Sequence, residues 1–210
     1  MVYTWGEGKR GQLGHGVLEA WRGVPAVVEA LRGKTMTRVV AGDGFSVFAS
    51  DNGIIMTCGD GTTGCLGHDD WNSSAKPKLV EKLLSVDVAG LSCGQQHVVV
   101  VGSEGDVYSW GKGQSGRLGQ GNEEDWLVLA LAASRRYDPV WCFFLRKFCV
   151  PREVEVPGDA VMTNVRCGGD GTILISDQGL MYACGNNAHN KLGLSDAGGL
   201  FNIKQKVPYS

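Results

Sequence analysis

The sequence predicts an all-β fold: a partial β-propeller of about three and a half four-stranded blades in an open arc. Three observations carry that prediction. A glycine motif recurs at nearly constant intervals, and strand-like runs bounded by turn residues stand at fixed places between its copies. Glycine supplies 32 of the 210 residues, about twice its usual ~7% share, with no low-complexity tract to account for it.

The first copy of the motif is WGEGKRGQLG, Trp5 to Gly14, in which Gly6, Gly8 and Gly11 spell GxGxxG. That spelling can mark the glycine loop of a dinucleotide or ATP site, which also requires a preceding strand, a following helix and a downstream acidic or lysine partner. Here the motif repeats instead. Gly59, Gly61 and Gly64 give GDGTTG, Gly111, Gly113 and Gly116 give GKGQSG, and a fourth copy, GNNAHN, starts at Gly185. The intervals are 53 residues from Gly6 to Gly59 and 52 from Gly59 to Gly111, and such regularity belongs to architecture. Each loop runs directly into Leu-Gly (Leu13-Gly14, Leu66-Gly67, Leu118-Gly119, Leu192-Gly193) rather than into a helix. In the fourth copy Asn187 and Asn190 replace glycines, and Asn is the other residue that tolerates left-handed backbone. The loop positions are therefore expected to need positive φ, with no phosphate contact.

The strands follow in order. Before each of the last three loops stands a β-prone run, IIMTCG, DVYSWG or LMYACG, preceded by a turn ending at Gly53, Gly105 or Gly179, which is a hairpin signal. One step earlier VVAGDGFSVFAS, LSCGQQHVVVVGS and VRCGGDGTILIS each read as two short strands broken at Gly42, Gly94 or Gly168. A further strand, VPAVVEAL, PKLVEKL or PREVEVP, is expected to open each unit. Four strands per repeat of about 50 residues is the pattern of a propeller blade. The chain reads as one segment, 1–210, with units at about 3–55, 56–107, 108–181 and a partial 182–210. Its two ends predict an arc that is not closed and is weakly stable in isolation, since stacked repeats depend on neighbours.

A net charge of −2 gives no basic field for nucleic acid or an anionic membrane. The first residues carry no charged-then-apolar leader, and the apolar runs LVLALAA and VWCFFL fall far short of a bilayer span, so an intracellular, soluble protein is expected. Seven cysteines without a CxxC read as core thiols: Cys58 and Cys184 share the register of Trp5 and Trp110, and Cys93 and Cys167 that of Ala41. His15, His68, His97 and His189 are spread along successive units without ligand spacing, so no metal and no cofactor is expected. No GxSxG or comparable nucleophile context gives a catalytic residue.

Candidate partner-binding residues lie where one loop varies between fixed glycines: Asp43 and Phe45, then Gln95, Gln96 and His97, then Asp170 and Thr172. Loops on one rim of a rigid scaffold are where binding residues sit. For His97 the alternative reading, an imidazole bracing the adjacent blade, is the favoured one. The charges of Glu7, Lys9, Arg10, Lys112 and Arg117 read as a solvated face.

The run LSCGQQHVVVVGSEGDVYSWGKGQSGRLG, Leu91 to Gly119, resembles the repeat of the regulator of chromosome condensation family, whose fold is a seven-bladed propeller. The stretch CGGDGTILISDQGLMYACGNNAHNKLGL, 167–194, resembles more narrowly the propeller of the NIMA-related mitotic kinases. The resemblance implies a regulatory, protein-binding propeller segment with a kinase domain or a small GTPase as partner. Its alternatives are an exchange factor for a Ran-like GTPase and an inactive or mis-spliced fragment. It also implies a cytoplasmic place, with centrosome and nucleus as further compartments. Kinase signatures are absent from the sequence: there is no VAIK lysine, HRD or DFG.

The register fails once. From Gly14 to Gly42 is 28 residues and from Gly67 to Gly94 is 27, but from Gly119 to Gly168 is 49. The excess is assigned to 127–148, LVLALAASRRYDPVWCFFLRKF, which lacks glycine and carries a net charge of +3. It is expected to lie outside the blades, disordered or as a short helix, with Trp126 and Val150 flanking an ordinary junction. Translated non-coding sequence, from an unspliced intron or a gene-model error, is the favoured origin, and an insertion that hooks a partner through Trp141 and Phe143 the alternative.

Overall fold

The computed structural model describes residues 1–120, 152–154, 156 and 160–192. The expectations for 127–148, for the junction at Trp126 and Val150, and for the chain beyond 192 lie outside these residues. The described chain forms thirteen strands: β1 (Tyr3–Gly8), β2 (Glu19–Val27), β3 (Met36–Ala41), β4 (Phe45–Ser50), β5 (Ile55–Gly59), β6 (Ser74–Leu79), β7 (Val88–Cys93), β8 (His97–Gly102), β9 (Val107–Gly111), β10 (Arg152–Glu153), β11 (Met162–Cys167), β12 (Gly171–Ser176) and β13 (Met181–Gly185). They make four antiparallel sheets in chain order, β1-β2, β3-β4-β5-β6, β7-β8-β9-β10 and β11-β12-β13. The fold is a partial β-propeller.

Hairpin pairing sets each sheet. In the second, β3 pairs with β4 (Val40↔Val47), β4 with β5 (Val47↔Thr57) and β5 with β6 (Thr57↔Lys78). The strand expected to open each repeat instead closes the sheet before it. β2, which contains Pro25, pairs with β1; β6, which contains Pro77, pairs with β5; β10, just after Pro151, pairs with β9. Proline lacks the N–H that a central strand must donate, so an outer edge is its place in a sheet. Sequence units and blades are thus out of phase, and the divisions at 55/56, 107/108 and 181/182 fall at or within β5, β9 and β13.

The second strands of the second and third sheets explain why the sheets stack. β4 and β8 are buried at every position, because each has a sheet on both faces. Phe45, Val47 and Ala49 meet Val98, Val100 and Trp110 between the second and third sheets. Phe48 turns the other way, to Val28, Leu31 and Cys58 beside the first sheet. Val99 and Val101 meet Met162, Val165 and Leu174 of the fourth sheet. Each such side chain contributes about 1.5–3 kcal/mol on burial, so the blades cohere through three sandwiched cores rather than one.

The glycine loops divide by position. The first glycine has positive φ in every copy, and at Gly59, with φ +117°, an added Cβ would lie 2.3 Å from Gly44 O of the neighbouring hairpin. The middle glycine departs from expectation. Gly61 is not left-handed; a Cβ there would lie 2.1 Å from Asn72 O, so close backbone approach is what excludes a side chain. Asn187, its counterpart, has φ −99°, and in that copy His189, at +62°, is left-handed along with Gly185. Among the described residues no helix is long and apolar enough to cross a membrane.

Candidate protein-interaction rim

The hairpin loops 42–44, 94–96 and 168–170 come together along one rim, tied by main chain. Asp43 N–H donates to Gln95 O at 2.8 Å, and Gln95 N–H to Gly169 O at 3.1 Å. The glycine loops join the same rim: Asp60 N–H donates to Gly44 O (2.9 Å), Lys112 N–H to Gln96 O (2.8 Å) and Asn186 N–H to Asp170 O (3.0 Å). Backbone bonds of this kind fix the loops whatever their side chains, so a rigid rim can carry variable residues.

The structure divides the seven candidates. Asp43 and Gln95 are exposed, and Gln96 and Asp170 are half-buried. Asp43 accepts from Arg10 Nη1 at 3.1 Å, and Arg10 also reaches Asp60 at 3.7 Å. Lys191 Nζ stands 2.5 Å from Asp170 Oδ1, and that hydrogen bond holds the Asp170 carboxyl below its ordinary range. Phe45, His97 and Thr172, in contrast, are 1%, 0% and 2% exposed, and lie beneath the rim between blades. They face a neighbouring sheet because they occupy β4, β8 and β12, the strands with a partner on either side.

Below the rim a repeated brace joins each blade to the next. The carbonyl of the residue after the last loop position accepts from the following sheet. Gln12 O takes Ser46 Oγ at 2.8 Å, Cys65 O takes Trp110 Nε1 at 2.8 Å, and Arg117 O takes Thr172 Oγ1 at 2.8 Å. At the last junction His97 Nε2 lies 3.0 Å from Thr172 Oγ1. The threonine hydrogen goes to Arg117 O, so His97 Nε2 must donate and Nδ1 is the unprotonated nitrogen. Nδ1 is buried with no hydrogen-bond partner among the described residues. Burial, and secondarily the Arg117 charge, push the His97 pKa down to about 4, against a smaller opposing effect of Asp170. His97 is a neutral brace. Arg117 is likewise no solvated charge: it is 6% exposed, and its Nε donates to Gln114 O at 2.8 Å.

A second brace works within blades. Thr4, Thr57 and Ser109 donate to Leu13 O (2.6 Å), Leu66 O (2.7 Å) and Leu118 O (2.8 Å). His15, His68 and Gln120 then contact those same hydroxyls at 3.0, 2.9 and 3.0 Å. Three of the four histidines are thereby bound to hydroxyls. Sequence reasoning missed the carbonyl braces because a main-chain acceptor leaves no residue-type signature. The hydroxyl braces had one, a Thr or Ser on the strand in register with His or Gln after Leu-Gly.

Burial pushes the thiols of Cys58, Cys65, Cys93 and Cys184 up to about 12 and that of Cys167 to about 11, far from the thiolate a nucleophile or ligand needs. Among the described residues no group of three or more His, Cys, Asp or Glu could hold a metal ion.

Comparison with known proteins places this arrangement. The regulator of chromosome condensation (RCC1) repeat matches residues 1–49, 52–101 and 104–175, and a second version of that repeat matches 88–117. The third match is 22 residues longer than the second, the length of segment 127–148. The chain is similar to the serine/threonine-protein kinase Nek8 of Danio rerio, 38% identical over 82% of the chain and 22% of the relative. It is also similar to the serine/threonine-protein kinase Nek9 of Mus musculus, 36% identical over 100% of the chain and 20% of the relative. The chain thus spans about a fifth of the length of these curated relatives. Among solved structures it resembles Prp20p of Saccharomyces cerevisiae, described with its binding to Gsp1p and histones, at a TM-score of 0.69 and 17% identity over 92% of this chain and 43% of that one.

Proposed function

The chain belongs to the regulator of chromosome condensation (RCC1) repeat family, and on that premise we propose that it is a non-catalytic regulatory propeller segment whose rim of loops docks a protein partner. The carrying observation is the rim itself. Loops 42–44, 94–96 and 168–170 are locked blade to blade by main-chain bonds while Asp43, Gln95 and Gln96 keep solvent-facing polar groups. Preformed loops lose little conformational entropy on binding, which favours recognition. The similarity to Nek8 and Nek9 supports a kinase domain as the partner, in the parent polypeptide or apart from it. The test is affinity for a Nek-type kinase domain: Asp43→Lys and Gln95→Ala with Gln96→Ala should weaken binding at least tenfold with an unchanged melting temperature. Undiminished binding would remove the rim from the interface.

The second reading, a guanine-nucleotide exchange factor, draws on the Prp20p likeness, since that protein binds Gsp1p. A nucleotide-release assay over a panel of small GTPases separates the two. Catalytic acceleration of release by this chain would overturn the first reading.

A further inference from the structure

The outer edges of the first two sheets are built differently. Arg22 of β2 opposes Gly6 as Ser74 of β6 opposes Gly59, so Trp21 and Val24 stand where β6 has Ser73 just before it and Lys76 within it. The outer edge of β6 is defended by charge, with Lys76 and Lys78 exposed on either side of Pro77. Beside and along β2 the exposed groups are apolar instead: Val17, Leu18, Trp21 and Val24 are 53%, 68%, 70% and 73% exposed. Ser73 and Lys76 are exposed although the second sheet has a neighbour on both faces, so solvent reaches these positions even where a blade is flanked. Four large apolar groups within eight residues at such an edge mark an interaction surface.

The same eight residues also specify an occupant. The stretch Val17 to Val24, VLEAWRGV, is complementary to its own reverse. Laid antiparallel about an axis between Ala20 and Trp21, Glu19 falls opposite Arg22 and Trp21 opposite Ala20. Leu18 then falls opposite Gly23, and Val17 opposite Val24. Unlike charges meet, and each large apolar group meets a small one or its equal. Within one chain Arg22 Nε donates to Glu19 Oε2 at 2.9 Å, so exchanging partners across the axis loses no ion pair. We propose that this edge is an isologous contact between two copies of the chain, anchored by Trp21 and closed by reciprocal Glu19–Arg22 pairs. In a two-fold contact each such pair occurs twice, so one short stretch supplies both halves of the interface. The three steps of β2 from Glu19 to Arg22 lie against two of β1 from Gly8 to Gly6, and this bulge interrupts any continuous ladder. Side chains therefore make the contact.

The test is sedimentation equilibrium of the full chain. The wild type should dimerise, and Trp21→Glu should weaken dimerisation at least tenfold with an unchanged melting temperature, because that side chain is mostly exposed in the single chain. Glu19→Arg and Arg22→Glu should each weaken it at least tenfold, by setting like charges opposite one another. Both changes together should restore it to within about threefold of wild type. A chain that stays monomeric up to about 100 µM would overturn the proposal. So would a dimer that survives Trp21→Glu, since another surface would then join the copies, and so would a double variant that fails to recover.

Discussion

The junction between the second and third sheets and the junction between the third and fourth occupy equivalent places and use different chemistry. At the first, Phe45 lies on β4 and Trp110 donates to Cys65 O at 2.8 Å, so the buried brace below the rim is a single side-chain bond set among apolar side chains. At the second, His97 takes the place of Phe45, and Thr172 links its imidazole to Arg117 O. The shared element is the carbonyl after the glycine loop; what reaches it is free to vary. A propeller of this kind therefore tolerates drift at its blade contacts so long as one donor meets that carbonyl. The same comparison predicts that the two junctions respond differently to truncation, to salt and to pH.

Trp110→Ala should break the apolar junction most severely. It removes the largest fully buried side chain and the donor to Cys65 O, and a loss of about 3–5 kcal/mol is expected in urea unfolding. Thr172→Val keeps the shape of the polar junction but leaves Arg117 O and His97 Nε2 without their hydroxyl, at a cost of about 1–3 kcal/mol. Ser46→Ala, which strips a single bond to Gln12 O, should cost about 1 kcal/mol and serves as its scale. Arg10→Ala removes an exposed pair with Asp43 and should change stability by at most about 1 kcal/mol, with the difference vanishing in high salt. Deleting 127–148 should leave soluble yield and melting temperature unchanged, and a deletion that unfolds the protein would place that segment in the core.

The strand pattern was legible because glycine turns and alternating apolar runs are local signals. The phase of the blades was not, since pairing of β6 with β5 depends on where the loop 60–73 returns the chain, and no residue type marks that. The rim was half legible. Variable residues between Gly42, Gly94 and Gly168 located the loops, but the boundary between Gln96, which faces solvent in part, and His97, which is fully buried, falls between adjacent residues. Only a neighbouring sheet makes that distinction. Arg117 misled for the same reason: its charge suggests solvent, and its place after the glycine loop puts it between blades.

The most direct test of the brace account is the pH dependence of unfolding free energy for the wild type and for His97→Phe, the residue that the equivalent position of the second sheet already carries. The folded-state pKa of His97, about 4, lies below the ordinary value of 6.5, so between these values the unfolded chain binds more protons and stability falls as pH falls. The stability present above pH ~6.5 should be lost progressively down to about pH 4, by roughly 3 kcal/mol for this group. Wild type should therefore lose that much more than His97→Phe over the same window. Parallel curves would mean that His97 titrates freely in the folded protein, and the buried brace between the third and fourth sheets would be refuted.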